Sequence, residues 1–316
     1  MNILITGGLG FIGSNISEYY VNNGDTVTIL SRSDTKAHNI RSLRDRLHFI
    51  QKDIQDISED DVKDFDIVYH CASTVDNYNI HTDPYLDVNV NCKGTIALLE
   101  ACRKSNPTIK IVYTSTFFVN GNPPSLPVTA DMKPEPLGIY GATKLAAEHI
   151  LKTYQSVYGL KPVIARLSNV FGLKEQQNNN KKAAFNRMIY MAVHDETIKL
   201  YDNGKITRDY IYVDDVVNAL DILAKKGEVG KIYYIGTGNG HTFREMVDII
   251  LEEAGSGKVE IVPPPQFHKA VGIDDFVCDV SDLKSLGWEQ KISLREGIRK
   301  VVNQYKLEFP YTGYGE

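Results

Sequence analysis

Tyr140 and Lys144 stand four residues apart in the run Tyr-Gly-Ala-Thr-Lys, so on a helix they share one face. A phenol placed there exchanges protons at neutral pH only if something favours its anion, because its ordinary pKa is about 10. A nearby ammonium does so, and lowering that pKa by about 3 units requires about 4 kcal/mol of preferential stabilisation. Ser115 and Thr116 close the β-rich run that precedes this helix. Thr116 is expected to hold a substrate oxygen beside Tyr140, and Ser115 to satisfy its own strand end. Together the three groups Thr116, Tyr140 and Lys144 would move a proton to or from a hydroxyl or carbonyl oxygen.

A second cluster lies at the start of the chain, where Ile3-Leu4-Ile5-Thr6 runs into Gly7-Gly8-Leu9-Gly10-Phe11-Ile12-Gly13. A glycine-rich turn between an apolar strand and a helix start lets a pyrophosphate approach backbone N–H groups at the positive helix end, and Gly13 lets helix and strand pack closely. Gly7, Gly10, Phe11, Ile12 and Gly13 are therefore candidate contacts for a dinucleotide, whose nicotinamide charge would add to that of Lys144 on the phenol. The next strand ends in Ser31-Arg32-Ser33 rather than in the carboxylate that grips the ribose 2′-hydroxyl of NAD. Arg32 can pair with a 2′-phosphate, so NADP(H) is favoured and NAD stays open. Asp53 and Ile54, just past the third strand, are candidates to flank the adenine, with a plain loop aspartate as the alternative.

These groups need a scaffold that brings distant segments together. Short β-rich runs (Ile3 to Thr6, Val27 to Leu30, Leu47 to Gln51, Ile67 to His70, Lys110 to Thr114, Val163 to Arg166) alternate with helical patterns (Phe11 to Asn22, Tyr85 to Lys104, Tyr140 to Tyr158). That alternation predicts an α/β fold, a Rossmann-type doubly wound parallel sheet. After Gly172 the pattern changes to a polar stretch (Asn178 to Lys182), a helix over Ala183 to Val193 and short mixed elements, read as a smaller mixed α/β substrate lobe. A helix over Val213 to Lys225 and a strand over Lys231 to Ile235 are expected to return to the large unit. The expected division is 1–170 with 212–237 for the dinucleotide, and 171–211 with 238–316 for the substrate. The aromatic tail Phe309 to Glu316 predicts nothing.

Composition narrows the classes further. The 316 residues, 42% hydrophobic and 24% charged, suit a packed globular protein rather than a disordered or fibrous one. A net charge of −5 gives no general attraction to nucleic acid or anionic membranes, so a phosphorylated ligand must be held by local groups. Cys71, Cys92, Cys102 and Cys278 lack paired metal-ligand spacing and are expected to be reduced thiols, and no metal site is expected. No apolar run reaches the ~18 residues a membrane helix needs, and no signal-peptide pattern opens the chain, so a cytoplasmic enzyme is expected.

Taken in order, the motifs resemble the extended short-chain dehydrogenase/reductases that act on nucleotide-sugars as epimerases, dehydratases and reductases. The resemblance runs the length of the chain through Thr6 to Gly13, His70 to Ser73, Asn91 to Thr95, Tyr113 to Thr116, Tyr140 to Lys144, Arg166 to Gly172 and Arg208 to Asp215. It implies that Ala72 and Ser73 line the nicotinamide ribose and that Asn91 supports the active-site helix. It also implies that Asn169 and Arg208 contact a substrate diphosphate, as suits a bidentate guanidinium, and that Tyr201 lies near the nucleobase. Dehydratases of this family carry Asp-Glu after the catalytic threonine, whereas this chain has Phe117-Phe118. Phenyl rings exchange no protons, so dehydration is not expected, and the pair, Phe118 in particular, is expected to wall the sugar pocket. Asn120 replaces the usual aromatic before Gly121, and Val271-Gly272-Ile273-Asp274 replaces Arg-x-Gly-Asp, with Lys269 as a substitute cation. The implied activity is 4-epimerisation of a nucleoside-diphosphate sugar, with an NADP(H)-dependent 4-keto reductase or 4-dehydrogenase as the alternative and a silent nucleotide sensor as a remote third. The resemblance also implies a homodimer, formed through the helices near 85–104 and 140–158.

Overall fold

The computed structural model describes residues 1–74, 83, 85–175, 184–264 and 272–308. The first half alternates β1 (Asn2–Thr6), α1 (Phe11–Asn22), β2 (Thr26–Ser31), β3 (His48–Gln51), β4 (Ile67–His70), α2 (Gly94–Ser105), β5 (Lys110–Thr116), α3 (Ile139–Tyr158) and β6 (Lys161–Leu167). There follow β7 (Asn169–Phe171), α4 (Ala184–Val193), β8 (Thr197–Tyr201), β9 (Thr207–Tyr212), α5 (Val213–Lys226) and β10 (Ile232–Ile235). The chain then forms β11 (Gly240–Thr242), α6 (Phe243–Ala254), β12 (Lys258–Val262), α7 (Ser281–Ser285) and α8 (Leu294–Glu308).

Seven strands make one parallel sheet in the order β3-β2-β1-β4-β5-β6-β10. Alternation along each strand feeds two cores. Ile3 and Ile5 of β1 point to the face where Ile16 and Tyr20 of α1 meet Val216, Leu220 and Leu223 of α5. Leu4 points to the other face, among Leu98 and Leu99 of α2 and Ala147 and Leu151 of α3. Both faces are covered, which is why these strands read as near-continuous apolar runs. The strand order reverses between β1 and β4, and the crevice beyond the carboxyl ends there is the place where such sheets bind ligands.

The helix expected from Tyr85 to Lys104 is not uniform. Residues Val88–Lys93 form a π-helical stretch that leads into α2, and Asn91 sits within it. Widened turns of this kind re-aim side chains and occur mostly at functional sites. The smaller layer holds a three-stranded sheet, β11-β9-β7, and a parallel pair, β12-β8, packed with α4, α6 and α8 around Phe171, Ile189, Met246 and Ile298. Among the described residues no helix is long and apolar enough to cross a membrane. The Asn178 to Lys182 stretch, Lys269, Val271 and the tail from Phe309 lie outside the described residues.

Candidate active site

The glycine loop follows β1 at the switch point. Gly7 takes φ +68, in the left-handed region that favours glycine, and a Cβ there would lie 2.8 Å from the backbone of Ala72. The loops after β1 and β4 thus touch, which sets Ala72 and Ser73 beside the glycine turn. A Cβ on Gly13 would lie 2.6 Å from the Gly7 carbonyl oxygen, so α1 and the loop approach as closely as backbone allows. Gly10 caps α1 without a side-chain hydrogen bond, and the first turn carries no acidic residue. The N–H groups and positive end of this helix are left to an anion. These shapes fit a dinucleotide pyrophosphate.

Beyond the loop the candidate cofactor contacts differ in kind. Ser31 ends β2 and donates to the Ser33 carbonyl at 3.1 Å, while Arg32 is exposed beside it. Asp53 accepts from the backbone N–H of Gln55 at 3.0 Å and caps its own short turn. The Ile54 side chain is buried in the core, where a Cβ on Gly94 would come within 2.6 Å of it. A side chain spent on packing does not flank an adenine, so that expectation reduces to the Ile54 backbone.

Around the phenol the structure brings Thr116, Ser73, Tyr140 and Lys144 together. Tyr140 is only 7% exposed, and the hydroxyls of Thr116 and Ser73 lie close enough to its phenol to favour the anion. Ser73 is itself held by Asn91, to whose Oδ1 it donates at 2.9 Å; Asn91 in turn donates to Thr143 at 3.1 Å, and Thr143 to the Tyr140 carbonyl at 3.0 Å. Asn91 therefore ties the loop after β4 to the first turn of α3. Phe118 meets Tyr140 edge to face, with centroids 5.9 Å apart, whereas Phe117 turns inward against Phe276 at 4.9 Å. The expectation that both rings wall a sugar pocket therefore fails for Phe117, which is buried in a core cluster with Phe276, and is left to Phe118.

Lys144 is not among the groups that shift the Tyr140 pKa here. Burial pushes the phenol up to about 12, against the lowering by the Thr116 and Ser73 hydroxyls. The Lys144 ammonium is buried too, donates to the Thr114 carbonyl at 2.6 Å and lies 4.2 Å over the Tyr113 ring. Burial pushes Lys144 down to about 7. One of its three N–H donors is engaged by Thr114, and the others suit a hydroxyl-bearing ligand. Behind them His70 bridges Thr6 (2.8 Å) and Thr95 (3.0 Å), and burial holds it down at about 3, a neutral structural imidazole.

Sequence reasoning assigned Ser115 to its own backbone, and the structure gives it another partner. Ser115 donates to Glu148 at 2.5 Å, and Glu148 forms a fully buried two-point pair with Arg166 at 3.0 and 2.7 Å. The signal was present in the spacing: Tyr140, Lys144 and Glu148 fall at i, i+4 and i+8 of one helix.

On the substrate side Asn169 of β7 and Arg208 of β9 lie on paired strands, Asn169 opposite Tyr210. Asn169 donates to the Asp209 carbonyl at a long 3.5 Å. Arg208 is 8% exposed and donates to the carbonyls of Thr207 (2.9 Å), Ile273 (2.5 Å) and Asp274 (2.5 Å). Three of its donors are thus engaged by backbone, two of them clamping the 273–274 segment, so any anion it meets shares the guanidinium with backbone. Tyr201, 38% exposed at the end of β8, pairs with Val262 of β12 and belongs to a separate sheet. Among the described residues no cluster of His, Cys, Asp and Glu has metal-binding geometry.

A glycine turn at the switch point of a parallel sheet, facing a buried Thr-Tyr-Lys set, is the arrangement of a dinucleotide-dependent oxidoreductase. The sequence matches the NAD dependent epimerase/dehydratase family over residues 3–236. A putative UDP-glucose 4-epimerase of Methanocaldococcus jannaschii is 35% identical over 96% of this chain and 98% of its own. The UDP-glucose 4-epimerase of Thermotoga maritima, solved with UDP-glucose, is 28% identical with a TM-score of 0.88, covering 98% of this chain and 99% of its own. That of Thermus thermophilus, solved with NAD, is 31% identical with a TM-score of 0.85, covering 97% and 99%. The chain belongs to the NAD dependent epimerase/dehydratase family, and is an NAD(P)-dependent enzyme of the extended short-chain dehydrogenase/reductase type.

Proposed function

We propose that the protein interconverts the C4 epimers of a nucleoside-diphosphate sugar, with NAD retained through the cycle. The observation that carries this reading is the buried phenol of Tyr140, beside the Thr116 and Ser73 hydroxyls and the Phe118 ring, with no acid pair after Thr116. The site can exchange a hydroxyl proton but has nothing there to expel water. A bound nicotinamide dinucleotide supplies the acceptor and donor of hydride at the sugar carbon. Tyr140 takes and returns the C4 hydroxyl proton, and Thr116 orients it. Lys144 adds positive charge and free N–H donors on the cofactor side. The glycine loop with Phe11 and Ile12 at the start of α1 holds the pyrophosphate, and Ala72, Ser73 and Asn91 border the nicotinamide ribose. Asn169 and Arg208 hold the diphosphate of the sugar, and Tyr201 its base.

A second reading, an NADP(H)-dependent 4-keto reductase or 4-dehydrogenase, has one observation in its favour: Ser31-Arg32-Ser33 offers an exposed guanidinium and no carboxylate at the end of β2. Acid release of the nucleotide from freshly purified protein separates the two. Stoichiometric NAD(H), with conversion of UDP-glucose to UDP-galactose without added cofactor, is the expected result. Protein that emerges empty and binds NADPH more tightly than NADH makes it a reductase. Tyr140→Phe is expected to lose turnover by about 10²- to 10⁴-fold while keeping its nucleotide, as removal of a general base does; full turnover in that variant overturns both readings.

We place 1–170 and 212–237 around the dinucleotide and the remainder around the sugar, in a homodimer. The compartment we propose is the cytoplasm, in keeping with four unpaired thiols.

A further inference from the structure

Three successive residues at the carboxyl end of β5 are each engaged by one stripe of α3. Lys144 donates to the Thr114 carbonyl, Ser115 donates to Glu148, and the Thr116 hydroxyl lies close enough to the Tyr140 phenol to favour its anion. Ser115 and Thr116 project from opposite faces of the strand, so fixing Ser115 on one side fixes the direction of Thr116 on the other. The anchor is stiff because Glu148 and Arg166 are both 2% exposed and paired at two points, with planar groups that leave little freedom. Arg166 also donates to Tyr234, and Tyr234 to the side-chain oxygen of Asn120 at 2.5 Å, in the turn that carries Phe118. One end of this chain of bonds therefore reaches the residue before Thr116, and the other the wall beside Tyr140. The Asn120 found in place of an aromatic is what closes it.

We propose that Ser115 and the buried Glu148–Arg166 pair are positioning residues for the reaction, holding Thr116 and the Phe118 turn in register with Tyr140 through the Tyr140-Lys144-Glu148 stripe of α3. None of the three touches substrate in this assignment; they act through Thr116 and Tyr140. An error of about 1 Å in such a register can cost on the order of 10²-fold in rate, while sugar binding, which rests on Asn169 and Arg208, stays as it is. The inference rests on Tyr140 being the proton-exchanging group.

Ser115→Ala isolates the link, because it cuts the strand from the ion pair and leaves the pair itself intact. The measurements are kcat, KM and the pH profile of kcat for epimerisation of UDP-glucose by the nucleotide-loaded enzyme, with thermal melting followed alongside. The expected result is a kcat lowered roughly 10- to 100-fold with KM within about threefold, and an acidic limb moved to higher pH as the Thr116 hydroxyl that lowers the phenol pKa drifts from it. Ser115→Thr, which keeps the hydroxyl, is expected to recover most of the rate, and Glu148→Gln to share the kcat loss and the displaced limb. Unchanged kcat and pH limb in Ser115→Ala overturn the proposal, as does a fall in melting temperature with the rate of the folded enzyme intact. Tyr140→Phe serves as the reference. If it is inactive and Ser115→Ala is normal, the positioning role alone fails; if it is active, the reading of the site fails first.

Discussion

At the scale of single residues the site is governed by burial as much as by charge. Tyr140 and Lys144 are both removed from water, and each is pushed toward its neutral form, the phenol to about 12 and the amine to about 7. The spacing of the two residues was legible in the sequence, but the direction of these shifts was not. Periodicity shows that two groups share a helix face; it does not show that the ammonium turns to the Thr114 carbonyl and the Tyr113 ring. The lysine gives a pH dependence with a definite sign. Its folded pKa lies below the unfolded value of 10.5, so between about 7 and 10.5 the unfolded chain holds a proton that the folded chain lacks, and stability contributed by this group rises with pH. Below about 7 both states are charged, and the cost of burying the ammonium is fully present. Urea melts of wild type and Lys144→Met, compared at several pH values, are expected to show wild type gaining on the variant by up to ~1.4 kcal/mol per pH unit from pH 7 toward 9. Parallel curves would show that the amine stays charged in the folded protein.

At the scale of elements, the strand-turn-helix unit that opens the chain was the most legible part. Its glycines have local steric jobs, and steric jobs depend on sequence neighbours. Gly13 has Gly7 oxygen at 2.6 Å and Gly8 Cα at 2.7 Å from where a Cβ would stand, both backbone atoms that cannot swing aside. Gly13→Ala is expected to cost about 1–3 kcal/mol through overpacking and to lower the nucleotide recovered per chain, read by thermal melting and acid release. Gly138→Ala, at the start of α3 where a Cβ meets nothing within 4 Å, is the control expected to melt as wild type does. A Gly13→Ala protein with full nucleotide content would mean that the loop does not set the cofactor site. The Tyr85 to Lys104 helix was legible as a helix but not as a π-helical stretch at Val88–Lys93. The cause lies in tertiary bonds from Asn91 to Ser73 and Thr143, which link three segments far apart in sequence. The packing of the Ile54 side chain was illegible for a related reason, since an apolar residue after a strand looks the same whether it faces a ligand or packs under Gly94. Long-range pairs such as Glu148 with Arg166 were visible only as a stripe without a partner.

At the scale of the whole molecule, α2 and α3 cover one face of the seven-stranded sheet and must themselves be covered or left wet. On α2, Ile96, Glu100 and Arg103 follow at helical spacing, and the last two reach α3: Glu100 accepts from Tyr154 at 2.9 Å, and Arg103 lies 5.1 Å over the Tyr158 ring. Ile96 of α2 is 39% exposed, and at the end of α3 Val157 is 62% and Tyr158 48% exposed. Apolar side chains exposed together on two packed helices are the surface a second copy of the chain would cover in an isologous pair, each α2-α3 layer meeting its twin. The catalytic helix α3 would then be held on both sides, by β5 within the chain and by the partner across the interface. Light scattering on the nucleotide-loaded protein is expected to give twice the chain mass at micromolar concentration. The double variant Ile96→Arg/Val157→Arg is expected to shift it to the monomer, because like charges and desolvated guanidinium groups would face each other across the two-fold axis. A monomeric variant that keeps full turnover would confine the dimer to stability, whereas one whose kcat falls with its mass would tie α3, and hence Tyr140, to the assembly. A wild type that is monomeric at every concentration tested would remove the homodimer and leave this face exposed to water.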